Sequence, residues 1–301
     1  LLIWDLMTQM EKNLRHLSFV IGKLKINYYL FKSSSIFLII LDLIIFNILF
    51  SVILKKSIKK LSFMNLFPQN VKYLSTERSI QGGRGSGDLT NFNLALHVND
   101  RKESVLKNRS ILKDYYGLPS DPVWINQTHS PICVDASSTK RIVEADASFT
   151  INPGVVCAIL TADCLPVFVS KKDGSMVGIA HAGWKGLISG VIENLIESFH
   201  CNGGDLVVHL GPAISKNYFE VGVEIKDLYL SKNSNFARSF SFYRYKYYLD
   251  LYDAAKVILE SFNITLISGG DRCTFKESDE FFSYRRDGVN SGRMAHLIWL
   301  K

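Results

Sequence analysis

Met176-Val177-Gly178-Ile179-Ala180-His181-Ala182-Gly183-Trp184-Lys185-Gly186 is the stretch on which the fold turns. Its first half reads as a short buried strand that ends at the polar His181. Beyond the glycine-bounded turn, Ile188, Val191, Ile192, Leu195, Ile196 and Phe199 recur at i, i+3, i+4, i+7, i+8 and i+11. That spacing predicts one helix of about four turns with a single apolar stripe. Asn202-Gly203-Gly204 stops it, and Leu206–Leu210 reads as the next strand, closed by Gly211-Pro212.

The same alternation extends in both directions. Upstream, Val155–Leu160 and Val167–Ser170 are short apolar runs. Downstream, Leu251, Ala254, Ala255, Ile258, Leu259 and Phe262 predict a second amphipathic helix, and Ile264–Ser268 and Met294–Leu300 read as later strands. The sum is a mixed α/β domain with one contiguous core. A chain of 301 residues, 47% hydrophobic and 21% charged, is long enough to bury such a core. That composition excludes a disordered tail, a disulfide mini-domain and a collagen-like polymer. Gly82-Gly83-Arg84-Gly85-Ser86-Gly87 reads as a surface turn: no apolar strand precedes it and it lacks the Gly-Lys-Ser/Thr ending of a phosphate-binding loop.

The formal charge of +7 is unevenly spread. Residues 1–63 hold eight lysines and Arg15 against Asp5, Glu11 and Asp42, a net +6 that leaves +1 for residues 64–301. A basic groove for nucleic acid is therefore not expected. Residues 1–63 read as an extension apart from the domain of residues 64–301. Within it, 36–54 is long and apolar enough to resemble a membrane anchor, although Asp42 near its middle would cost roughly 3 kcal/mol on insertion. The competing reading is upstream sequence translated by mistake. It rests on a bias toward amino acids of AT-rich codons, a first residue that is not Met, and an ordinary soluble start at Met64. We favour it, and expect no membrane role. The five cysteines are odd in number, spaced without a CxxC pair, and predict reduced thiols in the cytoplasm.

Three segments place a chemically capable residue at the end of an apolar run. They are Gln127-Thr128-His129-Ser130, Ala162-Asp163-Cys164-Leu165-Pro166 and Ala180-His181-Ala182-Gly183. Two imidazoles and a thiolate suit Zn²⁺, with a fourth position left for water or substrate. Hydrogen-bonded histidines and an inert thiol would read the same way. Phe281-Phe282-Ser283-Tyr284-Arg285-Arg286-Asp287-Gly288 adds two adjacent guanidinium groups, suited to a phosphate or a carboxylate and equally to a solvated turn.

The ordered blocks THS (128–130), TADCLPV (161–167), HAGWKG (181–186), GPAI (211–214), YFEVG (218–222), DRCT (271–274), FFSYRRDG (281–288) and SGRMAHLIW (291–299) are similar to the YfiH-type laccase-domain family, once called multicopper polyphenol oxidases. The resemblance implies a single α/β domain with a central mixed sheet flanked by helices. It implies purine nucleoside phosphorolysis of adenosine, inosine and methylthioadenosine with phosphate, and zinc-dependent adenosine deamination. It also implies a metal on His129, Cys164 and His181, with Zn²⁺ expected and copper the alternative. On that reading Cys164 and His181 are catalytic, Asp163 moves protons, Arg286 is catalytic in holding phosphate with Arg285 and Lys185, and Asn93 contacts the nucleoside. Ser130 and Lys185 depart from the family's usual Gly and Arg, and the segment Asn91–Asp100 lacks two of its glycines. Two other activities compete. Cys164 and His181 suit a Cys–His hydrolase that edits cell-wall peptidoglycan precursors. A copper polyphenol oxidase needs several His-rich sites, for which seven histidines are few.

Overall fold

The strand that opens the motif is β7 (Val177–Ala182), and all six of its residues are buried. In the computed structural model, which describes residues 66–85, 92–138 and 141–301, β7 lies inside a six-stranded sheet. Its neighbours on one side are β6 (Leu165–Lys171), β8 (Leu206–Leu210) and β12 (Ile267–Gly269). On the other side are β4 (Ala147–Thr150) and β3 (Cys133–Asp135). The sheet is mixed: β12–β8 and β3–β4 pair in parallel, the rest antiparallel.

A second mixed sheet orders β1 (Val71–Ser75), β13 (Met294–Leu300), β5 (Cys157–Thr161) and β2 (Val123–Trp124). Alternation on its strands decides where each side chain goes. Cys157, Ile159 and Ile298 point inward and pack with Phe168, Val177, Ile179 and Val207 of the larger sheet. Ala158, Leu160, Leu297 and Trp299 point outward, onto Leu112 of helix α1 (Lys102–Tyr116) and onto Phe92 and Leu94, which precede it. Both faces of β5 and β13 are thus buried, which is why they read as continuous apolar runs. The interior is layered by the sheets, where one core had been expected.

The far face of the larger sheet is covered by α2 (Trp184–Ser189), α3 (Val191–Glu197) and α5 (Leu251–Ser261). Leu187, Ile192, Leu195, Ala255 and Ile258 pack there against Val167, Val169 and Ala180. The expected four-turn helix is in fact two. Gly190, at φ 96°, stands in the left-handed region and ends α2 before α3 begins. The apolar stripe still serves both pieces. Helix α5 follows its periodicity, and the Asp250 carboxylate accepts from the Asp253 N–H at its N-terminus. A three-stranded sheet, β10 (Phe240–Tyr243), β11 (Lys246–Leu249) and β9 (Glu220–Val221), and helix α4 (Val223–Lys232) complete this side.

Among the described residues no helix is long and apolar enough to cross a membrane. Residues 1–63, with the anchor-like stretch at 36–54, lie outside the described residues, as does the end of the glycine-rich turn.

Candidate active site

The turns after β2, β5 and β7 meet at one end of the sheets. Those after β2 and β5 bring His129 and Cys164 to His181, the last but one residue of β7, and the donor atoms of the three all lie within 4.8 Å of one another. Gly183 makes room for them. A Cβ there would stand 2.7 Å from Cys164 Sγ and 3.2 Å from His129 Cδ2.

One buried carboxylate fixes both histidines. Asp146 Oδ1 accepts from His181 Nδ1 at 2.8 Å, which leaves Nε2 to face the cluster. Asp146 Oδ2 accepts from the N–H groups of Thr128 (3.1 Å) and Ser130 (2.6 Å) and from the Ser130 hydroxyl (2.9 Å). Those residues flank His129, whose backbone sits at φ 60°, so the carboxylate holds a strained turn in place. Burial alone would raise the Asp146 pKa; its bonds to His181 and Ser130 outweigh this and lower it. Burial likewise works against the Cys164 thiolate, but the His181 charge and hydrogen bonds from His129 and His181 hold its pKa down at about 6. His181 is held up at about 9, where burial is outweighed by the thiolate and by Asp146. The two histidines favour the thiolate form of Cys164, and Asp146 orients His181. Two imidazoles and a thiolate of this kind, around a position kept open by a glycine, fit a divalent metal.

Asp163 is at φ 90° and its carboxylate is fully engaged. It accepts from Thr274 Oγ1 (2.6 Å), Ser283 Oγ (3.0 Å) and the Arg285 N–H (2.6 Å). Asp163, which lines the cleft, thereby ties the turn bearing Cys164 to helix α6 (Tyr284–Asp287).

A cleft of about 600 Å³ opens beside the cluster. Ile214, Phe219 and Leu251 form its apolar side, and Lys185, Arg285 and Arg293 bring positive charge to it. Each cation lies over a ring: Lys185 over Trp184 at 5.5 Å, Arg285 over Phe219 at 5.2 Å, Arg293 over Tyr284 at 5.5 Å. Arg285 also donates to the carbonyls of Tyr218 and Glu220. Two expectations need correction. Arg286 does not line the cleft; it donates to the carbonyls of Thr274, Phe275 and Phe281 and pairs with Asp287, so its guanidinium is spent on holding loops. Asn93 is buried outside the cleft, and its amide is taken up by Ala95, Asp100 and the Arg293 N–H. Asp146, His97 and Arg293 were not singled out from sequence. Arg293 lies within the block SGRMAHLIW and His97 within the segment Asn91–Asp100, which was the available signal; Asp146, between two alanines, carried none.

The sequence model of one family, described as multi-copper polyphenol oxidoreductase laccase, matches residues 73–301. The chain belongs to this laccase-domain family. Relatives within it include a Haemophilus influenzae protein named purine nucleoside phosphorylase, 38% identical over 237 residues, 78% of this chain and 96% of that one. Purine nucleoside phosphorylase YfiH of Escherichia coli is 39% identical, covering 77% of this chain and 95% of its own. Laccase-domain folds already solved are similar as well. Neisseria meningitidis protein NMB0706 superposes with a TM-score of 0.74 at 41% identity over 78% of this chain and 96% of that chain. YlmD from Geobacillus stearothermophilus does so with a TM-score of 0.72 at 26% identity, over 79% and 94%.

Proposed function

We propose that this chain is a purine nucleoside phosphorylase that cleaves adenosine, inosine and methylthioadenosine with phosphate, and that it also deaminates adenosine with Zn²⁺. The observation that carries the reading is the pairing in one cleft of an apolar wall, suited to a purine, with the three cations Lys185, Arg285 and Arg293. The names of the relatives support the same substrate class. In phosphorolysis a phosphate oxygen bonds to the ribose C1′ as the C1′–N9 bond breaks and the purine leaves with the electron pair. Lys185 and Arg285 neutralise the incoming anion and hold it on one side of the sugar. Ile214, Phe219 and Leu251 keep water from the base. For deamination, His129, Cys164 and His181 would hold Zn²⁺, or copper in its place, which when bound supplies the Lewis acidity that makes water nucleophilic near neutral pH. Five free cysteines fit a reducing cytoplasm as the place of work.

The test is product analysis with the full chain and adenosine. Adenine that appears only with phosphate, and inosine that appears without it, support both halves. Neither product, from protein loaded with Zn²⁺, would overturn the reading.

One observation favours a second activity. Cys164, His181 and Asp146 stand in the order nucleophile, base and orienting carboxylate, the geometry of a Cys–His hydrolase. Such an enzyme, editing peptidoglycan precursors, would work with chelator present, and iodoacetamide would alkylate Cys164 of the metal-free protein rapidly near neutral pH. Loss of all activity on chelation favours the metal-dependent reading. A copper polyphenol oxidase would need further copper sites; among the described residues one three-donor group is found.

A further inference from the structure

Three arginines compete for phosphate near this cleft, and their guanidinium edges differ. Arg286 gives its nitrogens to three carbonyls and Asp287. Arg285 gives both terminal nitrogens to the carbonyls of Tyr218 and Glu220. Arg293 is tethered by Nη1 alone, to the carbonyls of Ser291 (2.6 Å) and Gly292 (3.0 Å). Among the described residues its Nε and Nη2 have no hydrogen-bond acceptor, and these two form the side edge that meets an oxyanion with two parallel bonds. Arg293 lines the cleft with Cys164 and His97.

The backbone behind that side chain is gripped from both directions. The Arg293 N–H donates to Asn93 Oδ1 at 3.0 Å, and the Leu94 N–H donates to the Arg293 carbonyl at 3.3 Å. Asn93 is itself fully used: its amide also binds Ala95 and Asp100, and its carbonyl accepts from Asn108 at 2.9 Å. A buried asparagine thus joins the segment that bears His97 to the residue that bears the free edge.

We infer that Arg293 binds the attacking phosphate through its Nε–Nη2 edge, and that Asn93 is the positioning residue that aims it. This rests on the phosphorolysis reading and assigns its anion site. The experiment uses full-length wild type, Arg293→Lys, Arg293→Ala and Asn93→Ala. Adenine release from adenosine is followed over a titration of inorganic phosphate, and inosine release in phosphate-free buffer. Arg293→Lys keeps the charge and loses the fork, so the KM for phosphate rises about 10- to 100-fold, a larger change than any in inosine release. Asn93→Ala raises the same KM and leaves that for adenosine alone; should it fail to fold, the Arg293 pair decides. Phosphate binding is read separately by ³¹P NMR in wild type and Arg293→Ala. An unchanged phosphate KM with unchanged ³¹P binding overturns the inference and leaves phosphorolysis standing. Equal loss of adenine and inosine also overturns it. Arg293-dependent phosphate binding in a wild type that releases no adenine overturns the activity and upholds the anion site.

Discussion

His181 Nδ1 and Asp146 Oδ1 stand 2.8 Å apart, and both residues are buried. The same carboxylate closes the turn that carries His129, so two of the three donors in the cluster depend on one side chain. Asp146→Asn keeps the shape and loses the charge that orients the imidazole. Metal affinity should fall about 10- to 100-fold, measured by competition with a chelator of known strength. An unchanged affinity would show that His181 is held without Asp146.

Gly183→Ala places a methyl 2.7 Å from the Cys164 sulfur. Its φ of −68° suits any residue, so the backbone tolerates the change and the open position does not. Metal per chain should drop sharply, while the unfolding midpoint moves little. Gly204→Ala, where a Cβ meets nothing within 4 Å, is the control and should retain its metal.

The cysteines should separate by role. Cys164→Ala removes one of three donors and should abolish metal binding and both purine activities. Cys157, fully buried between the sheets with its pKa pushed up to about 12 by burial, should cost only ~1 kcal/mol on truncation to Ala. Elemental analysis and denaturant unfolding of both variants check this; full zinc content in Cys164→Ala would remove the assignment.

Acid sensitivity should arise at His296. Its ring is buried between the hydroxyls of Thr161 and Ser75, each at 2.7 Å. Burial, and then the charge on His181, lower its pKa from 6.5 to about 3. The unfolded chain therefore takes up a proton at a pH where the folded one does not. Stability is complete above pH 6.5 and declines as the pH falls toward 3, by about 5 kcal/mol at full extent. Urea midpoints from about pH 7 to about pH 4 should slope less in His296→Gln, which cannot titrate. Equal slopes would place the acid sensitivity elsewhere.

The donors were legible because each follows an apolar run, and a strand that stops at a polar residue presents it to a cleft. The choice among arginines was not. Arg285, Arg286 and Arg293 differ in which acceptors the folded loops bring close to each guanidinium, and that is settled by packing. Gly190 was visible inside the helical stripe, yet the stripe's regularity suggested continuity; the cost of a left-handed residue is local and periodicity does not register it. The second sheet was hidden for a related reason. Cys157 and Ile159 face one layer and Ala158 and Leu160 another, so alternation between two apolar environments reads as no alternation at all.

Strand β13 lies between β1 and β5, yet it is synthesised after every other described strand. Ser75 leaves the ribosome 221 residues before His296, the partner to which its hydroxyl is bonded. Until then β1 has no strand to pair with, and β5 shows an open edge to whatever else is nearby. During most of synthesis these two edges are therefore the places where a wrong strand can pair. A chain cut short ahead of Met294 lacks the one strand that β1 and β5 share.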